Sequence, residues 1–140
     1  MTNEKLPRGL RNNNPGNIRV AKGQSWQGEI TGNRKKDNSF CEFVTIAYGY
    51  RALIKLLQNY RRKHSLNTLR QMINRWAPPH ENNTTAYLRF VADKMGVSAD
   101  SVPNVNDKRT MCALAAAISE MENGQPAIMS DVESGWNLLV

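Results

Sequence analysis

The sequence predicts a mostly helical α+β domain that carries a small antiparallel sheet near its N-terminus. Three observations lead there. From Thr45 onward apolar residues recur at i, i+3 and i+4, the period of an amphipathic helix. Before Thr45 there are only short β-branched and aromatic runs separated by turn signals. Length supplies the third: 140 residues suit one domain, taken as 1–140, and such a chain buries roughly 68–70% of its unfolded surface. With 40% hydrophobic and 22% charged residues, wholesale disorder is excluded.

The elements follow in order. Asn14-Pro15-Gly16-Asn17 is a turn, because Pro presets φ and Gly accepts positive φ. Ile18-Arg19-Val20, Trp26 to Ile30, and Phe40-Cys41-Glu42-Phe43-Val44 are the three strand candidates, with a polar hairpin tip from Thr31 to Asn38. A helix then runs from Thr45 through Ile46, Tyr50, Leu53, Ile54, Leu57 and Tyr60, and Arg61-Arg62-Lys63-His64 supplies cations for its C-terminus. A second covers Thr68 to Trp76 and stops at Pro78-Pro79. Asn83 or Thr84 caps a third, ended by Gly96, and Asp107 opens a fourth, ended near Gly124. Ile128 to Val140 forms one more turn or short helix.

The 19 Lys+Arg against 12 Asp+Glu leave a net charge of +7. That favours a polyanion as partner, whether nucleic acid, anionic lipid or cell-wall polymer, without choosing among them. Cys41 and Cys112 stand far apart with no His or Cys at metal spacing, and His64 and His80 are too few for a histidine-rich zinc site. Two reduced, buried thiols and neither metal nor cofactor are the expectation. No apolar run approaches the roughly 18 residues of a membrane-spanning helix, so no membrane insertion is expected. Met1 to Leu10 is charged and polar, without the apolar core of a secretory signal, so synthesis in a bacterial cytoplasm is expected.

Glu122 is the most informative carboxylate. At 100° per residue it lies about 40° from Ile118 and about 20° from Ala115 and Met111, on the apolar stripe of the fourth helix. Partial desolvation there favours the protonated carboxyl, which a general acid needs; lysozyme is a standard instance. The residues alone admit a second reading, a helix-end carboxylate facing water.

Ala115-Ala116-Ala117-Ile118-Ser119-Glu120-Met121-Glu122-Asn123-Gly124 resembles the helix of lysozyme-like transglycosylases, an apolar helix ending in Ile-x-x-x-Glu-Ser/Asn-Gly. Asn12-Asn13-Asn14-Pro15-Gly16-Asn17-Ile18-Arg19 is similar to an Asn-rich segment of bacterial glucosaminidases. Trp26-Gln27-Gly28, Phe40-x-x-Phe43 and Gly49-x-Arg51-Ala52 continue that likeness in order. The stretch from Arg75-Trp76-Ala77-Pro78-Pro79 to Tyr87 looks like small phage and prophage proteins of the lysozyme-like group. The resemblance spans nearly the whole chain and implies a lysozyme-like domain with Glu122 as catalytic acid. It departs in one respect, since the candidate catalytic helix comes last instead of preceding the sheet. A circular permutation reconciles the two orders and requires Glu122 to face the Asn14–Arg19 segment across a cleft.

A second carboxylate is sought because many glycosidases pair two, roughly 5–5.5 or 6.5–9.5 Å apart. Glu29 is the first candidate, with Asp37 and Asp131 behind it; an exposed hairpin residue is the alternative for Glu29. Lytic transglycosylases of the resembling group work with one Glu. For substrate binding, the resemblance implies Asn14, Gly16, Asn17, Ile18 and Asn123, with Trp26, Trp76 and Tyr87 as cleft aromatics. Apolar packing of Trp76 or Tyr87 is the competing reading. Glu81 suits a helix N-terminus, Arg61 to His64 a solvated helix end, and Val132-Glu133-Ser134-Gly135-Trp136 mimics Glu-Ser-Gly without the preceding apolar helix.

The expected activity is that of a muramidase or lytic transglycosylase of phage or prophage type, a monomer acting on bacterial peptidoglycan. Release by a holin, carriage in a virion or a secretion apparatus would bring it to the wall. The alternatives are a non-catalytic virion or wall-binding protein of the same group and a basic nucleic-acid-binding domain. Against the last, there is neither a stacked aromatic–basic strand motif nor a helix-turn-helix signature.

Overall fold

A computed structural model of the chain describes residues 6–139, so the reading of the charged N-terminal stretch falls partly outside the described residues. Six helices are present among them: α1 Arg8–Arg11, α2 Ile46–His64, α3 Leu69–Trp76, α4 Thr84–Met95, α5 Lys108–Asn123 and α6 Met129–Asn137. Local chemistry sets their starts. Thr45 Oγ1 accepts from the Tyr48 amide, Asn83 Oδ1 from Ala86, and Asp107 from Thr110, each satisfying an amide that the first helical turn leaves free. Thr68 and Gln71 form a reciprocal capping box at α3. The chain leaves α4 and α5 through left-handed Gly96 and Gly124, and α2 through left-handed Ser65.

The main core lies among α2 to α6. Leu53, Ile54 and Leu57 of α2, Met72 and Ile73 of α3, Val91 of α4 and Met111, Leu114 and Ile118 of α5 are all fully buried. Each such side chain contributes roughly 1.5–3 kcal/mol relative to exposure. α6 lies along α2, and α5 packs against both α4 and α6. Among the described residues no helix is long and apolar enough to cross a membrane.

The expected small antiparallel sheet near the N-terminus is absent. Among the described residues its three candidate strands make only two isolated antiparallel bridges, Arg19 with Phe40 and Glu29 with Phe43. The intended hairpin tip holds a 3₁₀ turn at Gly32–Arg34 instead. The apolar residues that read as strands are used singly: Ile18, Cys41 and Phe43 pack with Ala52 of α2 in a second small core, flanked by Trp26 and Trp76. Strand propensity reports a fit to a half-buried surface, and a loop bundle against a helix offers the same burial. Two backbone hydrogen bonds flank each bridge, Cys41 to Ile18 and Val20 to Ser39 at one, Ile30 to Glu42 and Val44 to Gly28 at the other, and side chains brace the loops between them. Asp37 accepts from Arg8, Asn12 and the amides of Ser39 and Phe40, while Glu42 accepts from the amides of Lys36 and Asp37.

The Asn-rich segment is structural as well as polar. Asn13 and Asn17 have φ of 53° and 49°, a left-handed conformation that Asn tolerates better than most residues. Asn14 is fully buried. Its Oδ1 accepts from the Ile18 amide, and its Nδ2 donates to the Ile18 and Cys41 carbonyls, all at 3.0 Å. The segment lies directly on α2 at Gly49, where a Cβ would overlap the Asn13 carbonyl and come within 2.7 Å of Pro15 Cδ. That contact, with the Asn14 bonds, holds the loop close on α2.

Candidate functional site

Glu122 stands in the last turn of α5. The next residue, Asn123, is buried, and its Nδ2 donates to the Pro15 and Ser119 carbonyls at 2.9 Å each, tying the N-terminal loop to the end of α5. The tie brings Asn17 to Glu122, and Asn17 Nδ2 donates to Glu122 Oε1 at 3.1 Å. The carbonyl oxygens of both amides, Asn17 Oδ1 and Asn123 Oδ1, are buried, have no hydrogen-bond partner among the described residues, and face Gly9 of α1, where a Cβ would meet them at 2.9 and 2.5 Å. From the other side the Tyr87 hydroxyl, on α4, donates to Glu122 Oε2 at 2.8 Å. The same hydroxyl oxygen accepts from Trp76 Nε1 at 3.0 Å. Burial foremost, then the Glu122 charge, pushes the Tyr87 phenol far above its ordinary value, so it stays a donor.

Glu122, Asn17 and Trp76 open onto a cleft of about 630 Å³. The loop side supplies Gly16, Asn17, Ile18, Arg19, Gln24 and Phe40; the helical side supplies Leu56, Tyr60, Arg75, Trp76 and the Ala77–Asn82 turn, with Glu122 between them. The separation of Glu122 from the Gly16–Arg19 segment is therefore one hydrogen bond at Asn17 and a cleft beyond it.

The remaining sequence candidates distribute unevenly. Gly16, Asn17, Ile18 and Trp76 line the cleft, whereas Tyr87 sits buried behind Glu122 and acts on it. Asn14 and Asn123 are buried outside the cleft lining and hold the loop, Asn14 through both ends of its amide and Asn123 through its Nδ2. Trp26 packs beside the second core and Glu29 Oε1 accepts from the Trp26 amide at 3.0 Å, so neither is a lining residue of the cleft. Asp37 is the internal counter-ion of Arg8, at 2.7 Å, beneath a different groove. Asp131 lies in the first turn of α6. Glu133 is exposed and faces Lys108 at 3.7 Å, with Gly135 pressed against Tyr50, so the Glu-Ser-Gly lookalike belongs to the α2–α6 contact. Glu81 is the other carboxylate lining the cleft. Arg19, Arg75, Phe40 and Tyr60 also line it; the only sequence signal for the two arginines is that each borders a motif already noted. Among the described residues no three His, Cys, Asp or Glu are grouped to hold a metal ion.

The chain is 39% identical over 132 residues to Protein P5 of Pseudoalteromonas phage PM2, covering 92% of this chain and 79% of that protein. The chain belongs to the Protein P5 family. With about eleven residues outside the match, the stretch from Asn17 to Glu122 falls within what is shared with the Protein P5 family, whichever end is left out. No protein-family model matches the chain.

Proposed function

We propose that this protein is a peptidoglycan-degrading glycosidase of phage type, a muramidase or lytic transglycosylase, with Glu122 as its single general acid. The observation that carries the reading is the setting of Glu122: it lines a large cleft, and each carboxylate oxygen receives a donor from a different element. As general acid, Glu122 gives a proton to the oxygen leaving between N-acetylmuramic acid and N-acetylglucosamine as the glycosidic C–O bond breaks. The charge then left on the carboxylate meets the Asn17 N–H and the Tyr87 O–H, which are already aimed at it. Donors placed where charge develops need no reorganisation during the reaction, and they act on the transition state more than on the ground state. With Glu29 absent from the lining, one carboxyl group serves both halves of the reaction: the substrate's own C6 hydroxyl oxygen bonds to the cleaved carbon in place of water, and its proton passes to the Glu122 carboxylate, which restores the acid.

Membership in a phage protein's family favours release by a holin or carriage in a virion as the route to the wall. The net charge of +7 concentrates the protein at a polyanionic surface. Purified peptidoglycan tests the reading: the protein lowers its turbidity, and Glu122→Gln lowers the rate roughly 100-fold or more. Mass spectra of the released fragments separate anhydro ends from reducing ends, which differ by one water. Equal clearing by the two proteins removes Glu122 as the acid. No clearing by either, with retention on the insoluble wall, supports a non-catalytic wall-binding protein instead.

A further inference from the structure

Two arginines of the cleft are set apart by where they lie, each beside an aromatic ring that shares the cleft. Arg19 and Arg75 both line the cleft that holds Glu122, one from the loop side and one from the last turn of α3. The Arg19 guanidinium lies 4.8 Å from the centroid of Phe40, and that of Arg75 lies 5.8 Å from the centroid of Tyr60. Both rings line the same cleft. None of the ion pairs among the described residues uses either arginine. Arg8 supplies the contrast: it also lies over Phe40, at 4.3 Å, but spends its fork on Asp37 in two bonds of 2.7 Å. One face of this ring thus carries an arginine neutralised inside the protein, and the same ring steadies another whose charge is not.

Stacking orients a planar guanidinium while leaving its N–H donors for a ligand, and the fork matches the geometry of a carboxylate. We infer that Arg19 and Arg75 read carboxylates on the glycan entering the cleft, so that the protein takes an acidic glycan and discriminates against a neutral one with a similar sugar backbone. The inference rests on the glycan-cleaving reading of this cleft and adds to it the residues that choose the substrate. Because they come from opposite sides, the carboxylates they meet belong to substituents on both flanks of the chain, and each arginine contributes separately.

Binding measured in the full-length Glu122→Gln protein, which keeps the cleft but does not turn substrate over, tests this. The probes are soluble peptidoglycan fragments with free carboxylates, the same fragments with those groups amidated, and chitooligosaccharides of equal length. The acidic fragments bind tightest. Arg19→Gln and Arg75→Gln each weaken them by about fivefold and together remove most of the preference, with chitooligosaccharide binding unchanged. Arg19→Lys and Arg75→Lys, which keep the charge but lose the fork and the stack, recover only part of it. Equal affinity for acidic and amidated fragments overturns the inference, as does a preference that survives both Gln substitutions or no binding of the acidic fragments. The glycosidase reading stands or falls separately, on whether the unsubstituted protein cleaves peptidoglycan.

Discussion

The Tyr87 hydroxyl, buried on α4, donates to Glu122 Oε2 at the end of α5 over 2.8 Å, while accepting from the Trp76 indole at the end of α3. Three helices thus converge on one carboxylate through a directed chain of hydrogen bonds, and Asn17 completes it from the loop side. Bonds at both oxygens restrict how the carboxylate can turn, and a displacement of about an ångström can cost a reacting group much of its effect.

Tyr87→Phe keeps the ring and removes the link. It leaves the Trp76 N–H and Glu122 Oε2 without a partner, at a cost of about 1–3 kcal/mol, read as a lowered midpoint in urea. If Tyr87 positions the acid, the turnover rate on peptidoglycan falls roughly tenfold or more while KM stays near its starting value, and the pH–rate profile moves. A variant that is merely less stable, with an unchanged pH–rate profile, would assign Tyr87 to packing alone.

Gly49 lies on α2 and does not line the cleft, yet Gly49→Ala reaches Glu122. The new methyl overlaps the Asn13 carbonyl and crowds Pro15, so the loop that carries Asn17 must lift. Overpacking of this kind costs typically about 1–3 kcal/mol. The expected result is a helical protein, by circular dichroism, with reduced peptidoglycan clearing. Unchanged melting and clearing would mean that the loop is not held by this contact.

Asp37 is one of four carboxylates, with Glu42, Asp100 and Asp107, that their partners hold below the usual range. The hydrogen bonds from Arg8 hold the Asp37 carboxyl well below the usual carboxylate range, outweighing the burial that pushes it up. A carboxyl depressed in the folded state contributes stability that is fully present above its unfolded value of about 3.9 and is lost as pH falls below it. Between pH 4 and 2, Asp37→Asn should therefore lose stability less steeply than the unsubstituted protein, though starting lower at neutral pH. Thermal melts across that window decide it; parallel slopes would assign the acid limb to other groups.

Both thiols are free and buried. Burial pushes the Cys41 thiol up to about 12 and raises that of Cys112 as well. Since the thiolate is the nucleophile, neither should react with a disulfide-exchange reagent at pH 8 until denaturant is added, when two thiols titrate per chain. Rapid labelling of the folded protein would contradict this burial.

The helices were legible because their information is local. Thr68 with Gln71, Asn83, Asp107, Gly96 and Gly124 act on amides and carbonyls within four residues, and the 3.6-residue period of α5 put Glu122 near its apolar stripe before any neighbour was known. The strands failed for the converse reason. Ile18, Phe40 and Phe43 are apolar in short runs, but whether such a run pairs or packs singly depends on the surface it meets, here Ala52 of α2 and the Asp37 and Glu42 bond networks.

The site divides along the same line. Sequence by itself determined the helical framework, the excess of positive charge and the carboxylate worth following, because these depend on composition and on spacing within a few residues. Only the tertiary structure decided which groups surround that carboxylate. Asn17 reaches Glu122 across 105 positions and Tyr87 across 35. It likewise turned Asn14 and Asn123 into braces, removed Glu29 and Trp26 from the cleft and placed Arg19 and Arg75 in it. Contacts between distant segments are selected by how α2, α5 and the N-terminal loop pack together, and no spacing along the chain encodes that packing.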